Sequence, residues 1–178
     1  MGGWLSIIVL LATPSAKQVR KVPASRAAVE APAPQAANFS VSVNPATVTF
    51  AAADPDSPLV AGSAATTVYW TVSGTLLRTW NLGLSSAAST FTNCPTVPVS
   101  AVTVTCTSAS GGGGLSSASC SGSTPLSTSL TQVASGTQGY GSRNYSVTLT
   151  YTLTDQWKYI ARTSPPCTLS ITYNAVVN

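Results

Sequence analysis

Residues 144–154 read Asn-Tyr-Ser-Val-Thr-Leu-Thr-Tyr-Thr-Leu-Thr. Tyr145, Val147, Leu149, Tyr151 and Leu153 alternate with hydroxyl residues without a break. A period of two is the mark of a strand with one dry face and one wet face, and no helix satisfies it. Threonine, valine and tyrosine are also the residues that fit a pleated, half-buried surface. The same pattern recurs along the chain. Phe39, Val41 and Val43 alternate with Ser40 and Ser42, and after Asn44-Pro45 the alternation resumes at Ala46, Val48 and Phe50. Strand-like runs follow at 66–73, 79–85, 97–107, 126–134, 144–154 and 168–177. Segments rich in Gly, Ser, Asn or Pro separate them, including 111–114, read as a mobile hairpin connection, and 136–142. Asp54-Pro55-Asp56-Ser57-Pro58 reads as a turn. No stretch carries apolar residues at helical spacing. The chain is therefore predicted to be all-β, an antiparallel, immunoglobulin-like β-sandwich of seven to eight strands over residues 38–178.

Composition narrows the function. Only 7% of the 178 residues are charged, against about 25% in an average soluble domain. Histidine is absent, and the four carboxylates are Glu30, Asp54, Asp56 and Asp155. Acid–base catalysis near neutral pH ordinarily uses His or paired carboxylates, and neither a Ser-His-Asp nor a Cys-His site can be assembled here. Asp54 and Asp56 are turn formers and fall well short of the six to eight oxygens that calcium takes. Nothing places Asp155 across a cleft from a second carboxyl, as glycoside hydrolysis requires. A non-catalytic chain without metal or cofactor is expected.

The net charge of +4 is unevenly spread. Lys17, Arg20, Lys21 and Arg26 are opposed only by Glu30. Arg78, Arg143, Lys158 and Arg162 nearly cancel Asp54, Asp56 and Asp155. The folded part thus lacks the basic stripe that a nucleic-acid partner would need.

Residues 4–12 (WLSIIVLLA) form an apolar run of signal-peptide length, too short to span a bilayer as a helix. Thr13-Pro14-Ser15-Ala16 then breaks it with small residues. The reading is a leader over 1–16 and a secreted or cell-surface chain with no membrane span after its removal. Residues 17–37, rich in Ala and Pro, read as a semi-rigid spacer. Cys94, Cys106, Cys120 and Cys167 fit an oxidising compartment, because their spacing lacks the close pairs of a zinc site. Three pairings are possible. Cys106–Cys120 with Cys94–Cys167 is preferred, since the first would staple the base of the 111–114 loop. Cys94–Cys106 with Cys120–Cys167 stays open beside it.

Two segments carry a resemblance. Trp80-Asn81-Leu82 reads W-x-L, and Tyr145 to Leu153 reads Y-x-x-x-L-T-Y-x-L. Together they resemble the two signatures of the WxL surface domain, a C-terminal β-sandwich of bacterial exported proteins. Leu126-Ser127-Thr128-Ser129 and Val133-Ala134-Ser135-Gly136 resemble the segment between them. Tyr151 stands where that family's second signature has Trp, and the cysteines, the Gly run and residues 155–166 are further departures. The resemblance implies non-covalent attachment to the cell wall, with peptidoglycan or another wall polysaccharide as ligand. It would make Trp80 and Tyr151 candidate glycan-binding positions. Beside that stands a packing role for Trp80, Leu82, Tyr145, Leu149, Tyr151 and Leu153, whose parity puts each set on one sheet face.

The better candidates for an exposed platform are Trp157 and Tyr159 in Asp155-Gln156-Trp157-Lys158-Tyr159. Aromatic faces flanked by hydrogen-bonding side chains suit a sugar. Trp157 and Tyr159 share parity with Leu153, and so does Asp155. A carboxylate there would be buried if the strand continued, so the strand is expected to end or bulge near Asp155. The alternative function is a structural subunit of an extracellular filament or pilus. In that reading Phe39, Val41 and Val43 form an assembly strand given to a neighbouring copy; otherwise they are the first strand of their own sandwich.

Overall fold

The computed structural model describes residues 8–9, 40–51, 59–72, 77–141, 143–159 and 165–177. The spacer 17–37, Phe39, Asp54, Asp56 and Arg162 lie outside the described residues, as does all of the 1–16 leader except Ile8 and Val9.

The strands in chain order are β1 (Ile8–Val9), β2 (Ser40–Asn44), β3 (Thr47–Val48), β4 (Leu59–Ala61) and β5 (Thr66–Val72). Then come β6 (Arg78–Ser86), β7 (Thr90–Phe91), β8 (Cys94–Pro98), β9 (Val102–Gly111) and β10 (Ser117–Cys120). The last are β11 (Ser123–Pro125), β12 (Thr131–Gln138), β13 (Arg143–Thr154) and β14 (Ile171–Val177). A single 3₁₀ turn, Val99–Ala101, is the one helical element among the described residues.

Two antiparallel sheets hold the fold. One has six strands in the order β11-β9-β13-β5-β2, with β4 also on β13. The other has four, β10-β12-β6-β14, while β1–β3 and β7–β8 form small ribbons. The opening stretch is the centre of the larger sheet. β13 pairs with β9 along one side, and with β5 and then β4 along the other. From β9 onward the long strands alternate between the sheets, so the two layers are built together.

Alternation decides what is buried. Tyr145, Val147, Leu149, Tyr151 and Leu153 face Trp80, Leu82, Leu84, Ile171 and Tyr173 of the smaller sheet in one core. At its centre Trp70 meets Trp80 edge-on at 4.9 Å and stacks on Tyr145 at 5.7 Å between ring centroids. The wet face of the larger sheet is a lattice of hydroxyls. Thr71 Oγ1 donates to Asn144 Oδ1 at 2.8 Å, and the hydroxyls of Thr105 and Ser123 lie 2.8 Å apart.

Both disulfides follow the preferred pairing. Cys106–Cys120 joins β9 to β10 across the sheets, and Cys94–Cys167 ties β8 to the approach of β14, each with a Cα–Cα distance of 5.4 Å.

Three expectations need correction. The 111–114 loop is not a hairpin connection, because β9 and β10 belong to different sheets. It is a crossover, pinned where Ser116 Oγ accepts the N–H groups of Gly113 and Gly139 at 3.1 Å and donates to the Gly113 carbonyl at 2.8 Å. The run expected at 126–134 is displaced: Leu126 plugs the core from a loop, and β12 begins only at Thr131. A bulge at Val133 shifts its register on β6, so Val133 and Ala134 are both buried and strict alternation is lost. The run at 97–107 is divided by the 3₁₀ turn, which buries Val99 and Ala101.

Candidate functional site

β13 stops at Thr154, and the next residue is the carboxylate whose parity would have pointed it into the core. Asp155 instead turns its side chain to the backbone, its Oδ1 accepting the Gln156 N–H at 2.8 Å. The Tyr159 N–H then donates to the Gln156 carbonyl at 2.8 Å. That closes a β-turn with Trp157 and Lys158 at its two central positions, where side chains project outward. Trp157 is 74% exposed. The Lys158 ammonium lies 5.8 Å from the centroid of the Tyr159 ring, a cation–π contact. Tyr159 is half-buried against the edge of the core. Burial, and after it the charge of Asp155, raises its phenol above the ordinary tyrosine value.

Upstream the turn continues from the central strand of the larger sheet. Downstream, Asn93 Nδ2 donates to the Pro166 carbonyl at 3.0 Å, Thr92 and Thr168 exchange two main-chain hydrogen bonds, and Cys167 is bonded to Cys94. Leu59, opposite Thr154 in the register of β4 on β13, is 71% exposed on the wet face beside the start of the turn. Sequence reasoning passed over Leu59, because a lone leucine next to the 54–58 turn carries no signal of its own.

Trp80 and Tyr151 are elsewhere. Both lie inside, 1% and 2% exposed. Bringing either to a sugar would forfeit a burial worth roughly 1.5–3 kcal/mol or more for a large side chain. In this structure both side chains pack in the core and neither is presented at the surface. The two signature-like segments nonetheless meet in space, since the Trp80 and Tyr145 rings approach to 5.3 Å across the core. The hydroxyl that distinguishes Tyr151 from the expected Trp is bonded to the hydroxyl of Tyr173. Burial holds both phenols neutral well into the alkaline range, Tyr173 being pushed up to about 12.

Of the proposed assembly strand, Val41 and Val43 lie in β2, which pairs with β5 of the same chain from Ser40↔Thr71 to Asn44↔Thr67. Both are half-buried against the core, so this segment is an edge strand of its own sandwich.

A shallow cleft of about 510 Å³ opens on the outer face of the smaller sheet, between Leu77 and Leu115 and over Arg78, Thr79 and Thr137. The Thr137 hydroxyl donates to the Leu115 carbonyl at 3.3 Å and lies 2.9 Å from that of Ser117. Among the described residues no group of three or more His, Cys, Asp or Glu side chains comes together to hold a metal, and no helix is long and apolar enough to cross a membrane. No protein-family model, curated protein or solved structure matches the chain.

Proposed function

We propose that this is a non-catalytic, exported protein of the cell envelope that binds cell-wall glycan through the turn after β13. The exposed Trp157 at the corner of the hydrogen-bonded turn after β13 carries the reading. A solvent-facing indole is costly to leave in water and is repaid when a sugar ring covers it. Lys158 and Gln156 flank it with a cationic donor and an amide, which suit the hydroxyls and acidic groups of wall polymers. The two disulfides support an oxidising, extracytoplasmic location, and the wall-binding part of the reading rests on the resemblance of the two sequence segments to the WxL signatures.

Sedimentation of the oxidised protein with insoluble peptidoglycan tests this. Wild type is expected in the pellet, and Trp157→Ala is expected to weaken binding about tenfold, the loss of an aromatic contact worth about 1.4 kcal/mol. The variant should keep the wild-type melting temperature, because the ring it removes lies outside the core. Binding no greater than that of an unrelated β-sandwich, or full retention by Trp157→Ala, would refute the assignment.

A further inference from the structure

The ends of the two sheets differ in length. β11 has three residues, β10 four and β2 five, whereas β14 at the outer end of the smaller sheet has seven. An edge strand exposes a row of unpaired main-chain N–H and C=O groups. Proteins commonly shield such a row by keeping it short, or with a charge, a proline or a bulge. β14 uses none of these. Its sequence Ile-Thr-Tyr-Asn-Ala-Val-Val holds no charge and no proline. Its register on β6 runs from Ile171↔Ser86 to Val177↔Trp80 without a shift. Among the described residues β6 is its only strand neighbour. Its inward row is also unfinished. Ile171 and Tyr173 are buried, but Ala175 and Val177 are only half-buried against the core, and Val176 is exposed on the outer face.

We infer that β14 pairs with β14 of a second copy of this chain, antiparallel about a twofold axis at Asn174, making one continuous eight-stranded sheet. The strand is self-complementary in that register. Asn174 faces Asn174 of the second copy on the wet side, where two amides can exchange hydrogen bonds. On the dry side Tyr173 faces the small Ala175, and Ile171 faces Val177. Each half-buried residue is thereby covered by a large side chain across the seam, which is the unit of sheet stabilisation. With no charge on the strand, no like charges meet at the axis. An isologous contact of this kind closes at two copies and does not propagate. The inference is independent of the glycan reading.

Sedimentation equilibrium of the oxidised full chain tests it, together with Asn174→Lys and Asn174→Asp. One added strand pair buries less than a standard interface, so a dimer dissociating on the order of micromolar to tens of micromolar is expected. Each variant places like charges opposite each other at the axis and should weaken the dimer at least about tenfold. An equimolar mixture of the two, which places opposite charges there, should restore it. A wild type monomeric up to about 1 mM, an end state larger than a dimer, or single variants that dimerise like wild type would each overturn the inference. If a variant at 174 fails to melt cooperatively, Val176→Lys, an exposed position carrying the usual edge-strand lysine, takes its place, and an unweakened dimer there overturns it equally.

Discussion

Gly136 sits in β12 directly opposite Trp80 in the neighbouring strand. A methyl group added there would fall on the Ser117 carbonyl oxygen, and would lie 2.5 Å from Cζ2 and 2.7 Å from Cε2 of the Trp80 ring. Two effects of Gly136→Ala oppose each other. Restricting the unfolded chain stabilises by about 0.4–1 kcal/mol when the folded backbone accepts alanine. Overpacking a closed core costs about 1–3 kcal/mol, and here the obstacles are a backbone oxygen and a fully buried indole locked against Trp70 and Tyr145, so the upper part of that range applies. The net expectation is a loss of about 1–2 kcal/mol, read as a lower urea midpoint at unchanged m-value. Gly83 is the control. It is buried where Gly136 is half-buried, but a methyl there would first meet the side chain of Leu130, 2.9 Å away and 54% exposed, which can swing into solvent, and would sit 3.3 Å from the Thr131 carbonyl oxygen, far looser than at Gly136. Gly83→Ala should change stability by less than about 0.5 kcal/mol. If Gly136→Ala matches or exceeds wild type, or if Gly83→Ala falls as far, then close packing of Trp80 on the β12 backbone is not what holds the centre of this core.

Two further expectations concern the same domain. Cys94–Cys167 closes a chain separation of 73 residues and Cys106–Cys120 one of 14. Loop-closure entropy then assigns about 4 kcal/mol to the first and about 3 to the second, so the Cys94→Ser/Cys167→Ser pair should unfold at lower urea than Cys106→Ser/Cys120→Ser; the reverse order would show that unfolded-chain entropy does not rank them. The buried phenols set an alkaline limit. Folding raises Tyr173 to about 12 and raises Tyr151 as well, both through burial first, from an unfolded value near 10. The fold thus favours the neutral form, and this contribution is intact below about pH 10 and lost as pH rises toward about 12. Raising Tyr173 alone from near 10 to about 12 corresponds to about 3 kcal/mol. In thermal melts wild type should lose stability as pH rises from about 10 toward about 12 while Tyr151→Phe/Tyr173→Phe should not, and an equal alkaline loss in both would sink the assignment.

Much of this architecture was readable before any coordinates. Tyr145 to Leu153 alternate so strictly that only a strand buried on one face accommodates them, and β5 and β6 follow the same rule around Trp70 and Trp80. Even the end of β13 was legible, because Asp155 has the parity of a core residue and none of its chemistry. What could not be read is which sheet each strand joins. Local alternation says which side chains face inward but not against what, and so the 111–114 crossover passed for a hairpin. The start of β12 was hidden for a related reason: its bulge buries Val133 and Ala134 in succession, which erases the period of two there. Trp157 was legible as an exposed aromatic, whereas the half-burial of Tyr159 depends on core residues distant in the chain, and no local pattern announces that.

The position of β13 has a consequence for how the chain is made. It is the shared neighbour of β9, β5 and β4, yet it lies at residues 143–154, next to last in order of synthesis. Until it emerges, those three strands have no common partner, and β6 still lacks β14. Translation adds about 5–20 residues per second, so the upstream strands wait several seconds for the segment that joins them. Dominance by such distant pairings also slows the search itself. Neither sheet can therefore be completed until β13 and β14 have both emerged, and the partners of β13 keep unpaired main-chain edges until then.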